Sequence, residues 1–164
     1  MEIIKVNPGE EQIFKDIEKM ARDIWTEHYA FLHADGQNDY MLEKFQSYEV
    51  IKKQIETGEL YYYIVKEDGD YAGYFAIAPK NGSMYLSKLY VYKHFRGRGI
   101  SKAILEFIKQ QAKAQNLKEI TLNVNRNNTS VAAYKKLGFQ VYNEAARDIG
   151  NGYVMDDFDM KLTF

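Results

Sequence analysis

Apolar residues fall at Ile13, Phe14, Ile17, Met20, Ala21 and Ile24, with Lys and Glu between them. That spacing predicts an amphipathic helix from Glu10 to about His28. Ahead of it, Glu2 to Val6 is short and β-prone, and Asn7-Pro8-Gly9 ends it. His33 to Asp39, with Asp35-Gly36 and Asn38, reads as a loop, and Asp39 to Phe45 as a short helix. Ser47 is placed to cap a helix from Tyr48 to Thr57, closed by Gly58. The period then changes. Leu60 to Lys66, Tyr71 to Ala78 and Met84 to Tyr92 read as strands. Asp68-Gly69 and Asn81-Gly82 are tight-turn dipeptides between them, so an antiparallel meander is expected.

The helical period returns at Ile100, Ala103, Ile104, Phe107 and Ile108, predicting a helix to about Ala114 with Asn116 ending it. Lys118 to Val124 alternates, with Ile120, Leu122 and Val124 on one face. A strand–helix–strand unit of this length is a parallel crossover, expected to be right-handed. Asn125 to Asn128 is a polar loop, and Val131 to Leu137 a short helix ended by Gly138. Phe139 to Asn143 and Tyr153 to Leu162 are the last strands, with Asp148 to Gly152 carrying the turn. The order is β, α, α, β, β, β, α, β, α, β, β. There is no internal repeat and no low-complexity segment.

Composition narrows the class. The chain has 164 residues, 46% hydrophobic and 27% charged, which favours a single globular domain over residues 1–164. Net charge is −1, and the pI is about 6.3. A dedicated nucleic-acid binder would carry a broad basic surface, so no nucleic-acid partner is expected. There are no cysteines, hence no disulfide, thiol nucleophile or thiolate metal site, and no metal is expected. No apolar run approaches a membrane span, and Met1 to Val6 does not read as a signal peptide. A cytoplasmic enzyme or binding protein fits, with no membrane partner.

The candidate chemistry centres on Arg96-Gly97-Arg98-Gly99-Ile100-Ser101-Lys102, between a strand and a helix. The first N–H groups of a helix point outward without helical partners. The dipole and the charges of Arg96, Arg98 and Lys102 add to them, which suits a phosphate or pyrophosphate. Gly97 and Gly99 would let such an anion approach the backbone. An exposed basic turn without a ligand is the alternative. The turn is not a Walker loop, because no Gly-Lys-Ser/Thr closes it, and G-x-G-x-x-G fails at Lys102. Near the end of the first helix stand Trp25, His28 and Tyr29, candidate substrate-binding residues. Core packing is the other reading of Trp25. A lone histidine has no partner at metal spacing, so His28 is read first as a surface or satisfied histidine.

Arg96-Gly97-Arg98-Gly99-Ile100-Ser101 resembles the Gln/Arg-x-x-Gly-x-Gly/Ala signature of the GCN5-related N-acetyltransferases, departing at Ser101. Asn127 to Phe139 resembles the family's Asn…Tyr-x-x-x-Gly-Phe segment, in the right order downstream. The resemblance implies an α/β (α+β) acyl-CoA N-acyltransferase fold: a mixed central sheet, an antiparallel N-terminal meander and a parallel β-α-β cofactor unit. It implies acetyl-CoA held by Arg96 to Lys102. It also implies backbone groups of Leu89, Tyr90 and Val91 beside the pantetheine arm, where a bulge opens a slot against the parallel neighbour. A backbone N–H there would polarise the thioester oxygen. Asn127 matches the family's cofactor-contacting asparagine and would equally cap a helix. Lys135 reaches cofactor phosphates or is simply solvated. Tyr134 matches the catalytic tyrosine. A phenol, protonated at neutral pH with a pKa of about 10, can donate a proton to a leaving thiolate.

The family often carries a basic carboxylate on the strand before the turn, where this chain has Ser87 and Lys88. Glu27, His28 or a water chain are the candidates left for the base. The ending Asp148 to Asp157 is similar to polyamine and small-amine acetyltransferases. The expected acceptor is a small-molecule primary amine, a polyamine or other small amine being preferred. Asp35, Asp39 and Glu43 near Trp25, Tyr29 and Tyr40 suit a cationic amine. A protein or peptide amine is the alternative acceptor, and a non-catalytic acyl-CoA-binding module the alternative class. A homodimer is the candidate assembly.

Overall fold

The computed structural model describes residues 1–28 and 36–164, with His28 described by its backbone only. Its elements are β1 (Glu2–Lys5), α1 (Glu11–His28), α2 (Gln37–Gln46), α3 (Tyr48–Glu56), β2 (Tyr61–Glu67), β3 (Asp70–Lys80) and β4 (Ser83–Val91). A 3-10 turn at Lys93–Phe95 follows, then α4 (Ile100–Ala114), β5 (Glu119–Asn125), α5 (Ser130–Lys136), β6 (Gln140–Gly150) and β7 (Tyr153–Thr163). The strands form a seven-stranded mixed sheet in the order β1-β2-β3-β4-β5-β7-β6. Three helices separate the first two strands, as the segment-by-segment reading expects, one more than the order β, α, α, β counts. The chain divides into two compact units: Met1–Ala78 with Lys88–Ile104, and Pro79–Ser87 with Leu105–Phe164.

In the first unit, α1 buries the face its spacing predicted: Phe14, Ile17, Ala21 and Ile24 are wholly inaccessible. β1 pairs antiparallel with β2, and β2 with β3, in the register Tyr63↔Phe75. The turn between β2 and β3 has positive φ at Asp68 (54°) and Gly69 (82°), the conformation that Asp-Gly adopts readily. The ladder shifts between Val65 and Lys66: Val65 pairs with Gly73 and Lys66 with Tyr71, leaving Ala72 unopposed. The Ala72 carbonyl accepts the Tyr92 N–H at 2.8 Å. Ser47 holds the N-cap position of α3, but its side chain makes no cap bond. A carboxylate from α1 substitutes, since Glu18 Oε2 accepts the Tyr48 N–H at 2.6 Å.

In the second unit, β4 runs parallel to β5 over Met84↔Ile120, Tyr85↔Thr121 and Leu86↔Leu122. β5 pairs antiparallel with β7 along its whole length, from Glu119↔Thr163 to Asn125↔Asp157. Ile120, Leu122 and Val124 are buried, as their alternation predicted. β6 corrects the sequence reading. It runs on from Asn143 to Gly150, and the turn tightens to Asn151-Gly152, with φ of 54° and 78°. Glu144 to Gly150 carries no clean apolar alternation because β6 is the edge strand and largely exposed. Its pairing with β7 supplies the order that its side chains do not advertise.

Candidate active site

The basic turn belongs to the first unit. Gly97 and Gly99 have φ of 78° and 75°, and a Cβ at either would meet no other atom within 4 Å. Left-handed backbone, rather than crowding, is what demands glycine at both. The ladder of α4 begins where the Ala103 N–H donates to the Gly99 carbonyl at 3.0 Å. The N–H groups of Ile100, Ser101 and Lys102 therefore have no partner within the helix. Ile100 is buried and anchors the helix start; Ser101 and Lys102 are exposed.

The two arginines do different work. Arg96 folds back, its Nε and Nη2 donating to the Val91 carbonyl at 3.3 and 3.1 Å. Arg98 lies over the Phe95 ring, 5.2 Å from its centroid, and its Nη1 stands 3.6 Å from Asp68 Oδ2. Two carboxylates of α1 hold the segment leading to the turn. Asp23 Oδ2 accepts from the Tyr92 hydroxyl at 2.8 Å, and Glu27 Oε2 accepts the Lys93 N–H at 3.1 Å. Burial, reinforced by Asp23, pushes the Tyr92 phenol well above its ordinary range. Burial would raise the Asp23 carboxyl, but hydrogen bonds from Lys19 and Tyr92 overcome it and hold it below the usual range.

Leu89 and Tyr90 are half-buried and Val91 buried. The parallel pairing of β4 with β5 covers Met84 to Leu86, so these three residues lie beyond it. Tyr90 passes close to β3: a Cβ on Gly73 would come within 2.1 Å of the Tyr90 carbonyl oxygen. Trp25 is only 5% exposed and meets the Tyr90 ring edge-on, with centroids 6.0 Å apart. A residue proposed for the acceptor and one proposed for the cofactor are thereby in contact. The His28 side chain, Tyr29 and Asp35 lie outside the described residues. Asp39 and Glu43 are exposed on α2, and Lys44 lies 5.6 Å from the centroid of the Tyr40 ring.

Asn127, Tyr134 and Lys135 belong to the second unit. Tyr134 is half-buried on α5, with its ring edge-on to Phe139 at 5.4 Å. The Phe139 N–H returns to the Tyr134 carbonyl at 3.0 Å. Gly138 makes that return possible with φ of 103°, and a Cβ there would press on Leu162 Cδ1 at 3.0 Å. Asn127 is exposed and does not cap α5. Thr129 holds the N-cap position without a side-chain cap bond, and Asn128 Oδ1 accepts the Ser130 N–H at 2.8 Å. Lys135 is exposed.

Two groups escaped the sequence reading. Lys88, on β4, is 6% exposed. Asp157 and Asp159, on β7, are 2% and 5% exposed, and Arg147 bridges both. For Lys88 there was a signal: it shares alternation parity with Met84 and Leu86, an inward position for a cation. For the aspartates there is none, because Arg147 lies on the part of β6 that carries no strand period.

Among the described residues no helix is long and apolar enough to cross a membrane, and no cluster suits a metal ion. The model of the acetyltransferase (GNAT) domain family matches residues 12–163. A curated protein of Bacillus subtilis subsp. natto (strain BEST195), named "Probable spermine N(1)-acetyltransferase", is 33% identical over 67 residues. That match covers 40% of this chain and 44% of the relative's length. The PaiA N-acetyltransferase of Thermoplasma acidophilum, solved in complex with coenzyme A, superposes with a TM-score of 0.80 at 20% identity, covering 100% of both chains. The ribosomal-protein-alanine N-acetyltransferase of Brucella melitensis superposes at 0.61 with 17% identity, again over 100% of both. With a family match running through nearly the whole chain, this protein belongs to the GNAT acetyltransferases.

Proposed function

We propose that the protein transfers an acetyl group from acetyl-CoA to a primary amine of a small molecule, with a polyamine as the preferred acceptor. Acetyl-CoA supplies the acetyl group as a thioester, and the protein's own groups hold and orient. The N–H groups of Ile100, Ser101 and Lys102 at the start of α4 suit a pyrophosphate, with the side chains of Arg98 and Lys102 adding charge. Arg96 serves by fixing the strand to the turn through the Val91 carbonyl. Gly97 and Gly99 supply the backbone shape. Leu89, Tyr90 and Val91 are assigned to the pantetheine arm, and Asn127 and Lys135 to cofactor contact. Tyr134 holds a proton at its phenol oxygen for the leaving sulfur. Trp25, His28 and Tyr29 are assigned to the acceptor side. Residues 1–164 act together as one acetyltransferase domain, a reading supported by a family match that runs through both units.

The observation that carries the reading is the left-handed Gly97–Gly99 turn opening directly onto α4. The polyamine preference is supported by the partial identity to a spermine acetyltransferase. An amine panel with a free-thiol readout tests both. Turnover of spermine or spermidine is the expected result. Turnover of peptides but of no small amine would move the acceptor to a protein N-terminus or lysine. CoA binding without turnover of any amine would leave an acyl-CoA-binding module.

A further inference from the structure

Lys88 is buried in the first unit with every hydrogen of an ammonium engaged. Its Nζ donates to the Phe45 carbonyl at 2.6 Å, to Gln54 Oε1 at 3.2 Å and to the Tyr62 hydroxyl. The Tyr62 hydroxyl donates onward to Gln54 Oε1 at 2.6 Å. Three donors meet three acceptors, which is the complement of –NH₃⁺. Phe45 lies in the last turn of α2, where carbonyls have no helical partner and a cation opposes the negative end of the dipole. Lys88 thus ties the α2–α3 junction to β4 from outside both helices.

The groups facing Lys88 are few. α2 presents the Phe45 carbonyl, α3 the Gln54 amide and β2 the Tyr62 phenol, which burial pushes far above its ordinary range. Glu59, just before β2, is the charge acting on it. Burial brings the ammonium down to about 7, with Glu59 opposing. A neutral amine has two hydrogens and a lone pair, so the Tyr62 hydroxyl would turn to donate to it and give up Gln54, and the charge that opposes the end of α2 is lost. From this knot a column of rings runs along the sheet. Tyr62 stacks with Tyr74 at 6.3 Å, Tyr74 meets Tyr90 at 5.5 Å, and Tyr90 meets Trp25 at 6.0 Å. The Tyr74 hydroxyl donates to Gln46 Oε1 at 2.8 Å, so the last residue of α2 is tied to the same column.

We propose that Lys88 is a positioning residue for the acceptor side: its ammonium docks the α2–α3 junction onto β4, and loss of its charge loosens that junction and the ring column ending at Tyr90 and Trp25. This rests on the assignment of Tyr90 and Trp25 to the site. Lys88 itself touches no reacting atom.

The test follows amide hydrogen exchange at residues 45–48 of the full chain, corrected for intrinsic rates, from about pH 6 to about pH 8.5, a range that brackets the titration. Protection in the wild type should fall about fivefold as the proton leaves, as an opening of low free energy would allow. Lys88→Arg, which stays charged, should keep protection flat with pH. Lys88→Met should be poorly protected throughout. The KM for spermine should follow the same pattern, while the CoA-induced thermal shift stays constant. Wild-type protection that ignores pH would overturn the proposal, as would an acceptor KM that does not follow it. Should Lys88→Met fail to fold, the wild-type and Lys88→Arg series decide alone. A wild type that binds CoA but acetylates no amine would overturn the functional reading instead, while exchange at residues 45–48 still decides whether Lys88 docks the junction.

Discussion

The indole of Trp25 meets the ring of Tyr90 edge-on, with centroids 6.0 Å apart and planes at 63°. One comes from the last turns of α1 and the other from β4, two residues beyond Lys88. Edge-to-face pairing suits the ring quadrupoles, and burying the indole adds apolar area. Trp25 therefore acts first as a wedge between helix and strand. Any part it takes in acceptor binding is through the wall it makes with Tyr90.

Gly73 sets how closely β3 and Tyr90 approach. Gly73→Ala would drive a Cβ to 2.1 Å from the Tyr90 carbonyl oxygen, a backbone atom that cannot rotate away. The expected cost is about 3 kcal/mol, at the upper end for overpacking, with a parallel loss of CoA affinity as β4 shifts. Denaturant midpoints and a CoA titration check it. Wild-type stability in the variant would mean that β4 yields freely at Tyr90.

Gly99→Val tests the anion turn. A β-branched residue at φ of 75° costs at least about 1–2 kcal/mol, and the turn at the start of α4 must distort. Wild-type protein should gain about 2.7 kcal/mol of stability at CoA concentrations 100 times Kd. The variant should fold and lose that gain. A CoA-induced thermal shift equal to the wild type's would remove the turn from the binding site.

Tyr134→Phe keeps the ring that packs edge-on to Phe139 and deletes only the hydroxyl. If the hydroxyl donates a proton during transfer, kcat should fall about 100-fold with CoA affinity nearly unchanged. Single-turnover rates and a CoA dissociation constant separate chemistry from product release and from binding. Full turnover in the variant would end the proton-donor assignment.

The aspartate pair on β7 gives a pH dependence of mixed sign. Burial raises Asp157 to about 6, Arg147 opposing. Burial would raise Asp159 too, but hydrogen bonds from Asn143, Arg147 and Asn123 outweigh it and lower its pKa. Ionised Asp157 therefore costs stability in full above about pH 6, and the cost fades as pH falls toward about 4. Asp159 contributes stability above the ordinary carboxylate range and loses it as pH falls through its lowered value. Asp157→Asn should be more stable than wild type at pH 8 by about 1 kcal/mol, or about 3 °C, with the difference gone near pH 4. Paired thermal melts read it. A variant less stable at pH 8 would mean that the ion pair with Arg147 outweighs burial.

Much was legible in the sequence because the deciding interactions are local. The helical period of Phe14 to Ile24, the Asp-Gly and Asn-Gly turns, and the glycines of the basic turn follow from backbone sterics and from which face must leave water. These were enough to order the helices and strands and to locate the turn at the start of α4. What tertiary structure alone decided are relationships between residues far apart in the chain. Glu18 replaces Ser47 as the cap of α3, because a carboxylate on α1 reaches the N–H first. Arg96 turns inward to the Val91 carbonyl, which leaves Arg98 and Lys102 as the outward charges of that turn. β6 runs to Gly150 because β7 pairs with it, although its exposed side chains carry no strand period. The charge of Lys88 lies buried among Phe45, Gln54 and Tyr62, a cage assembled from two helices and a strand. Periodicity reports which face of an element is buried, whereas the partner that meets each polar group is settled only when distant segments pack together.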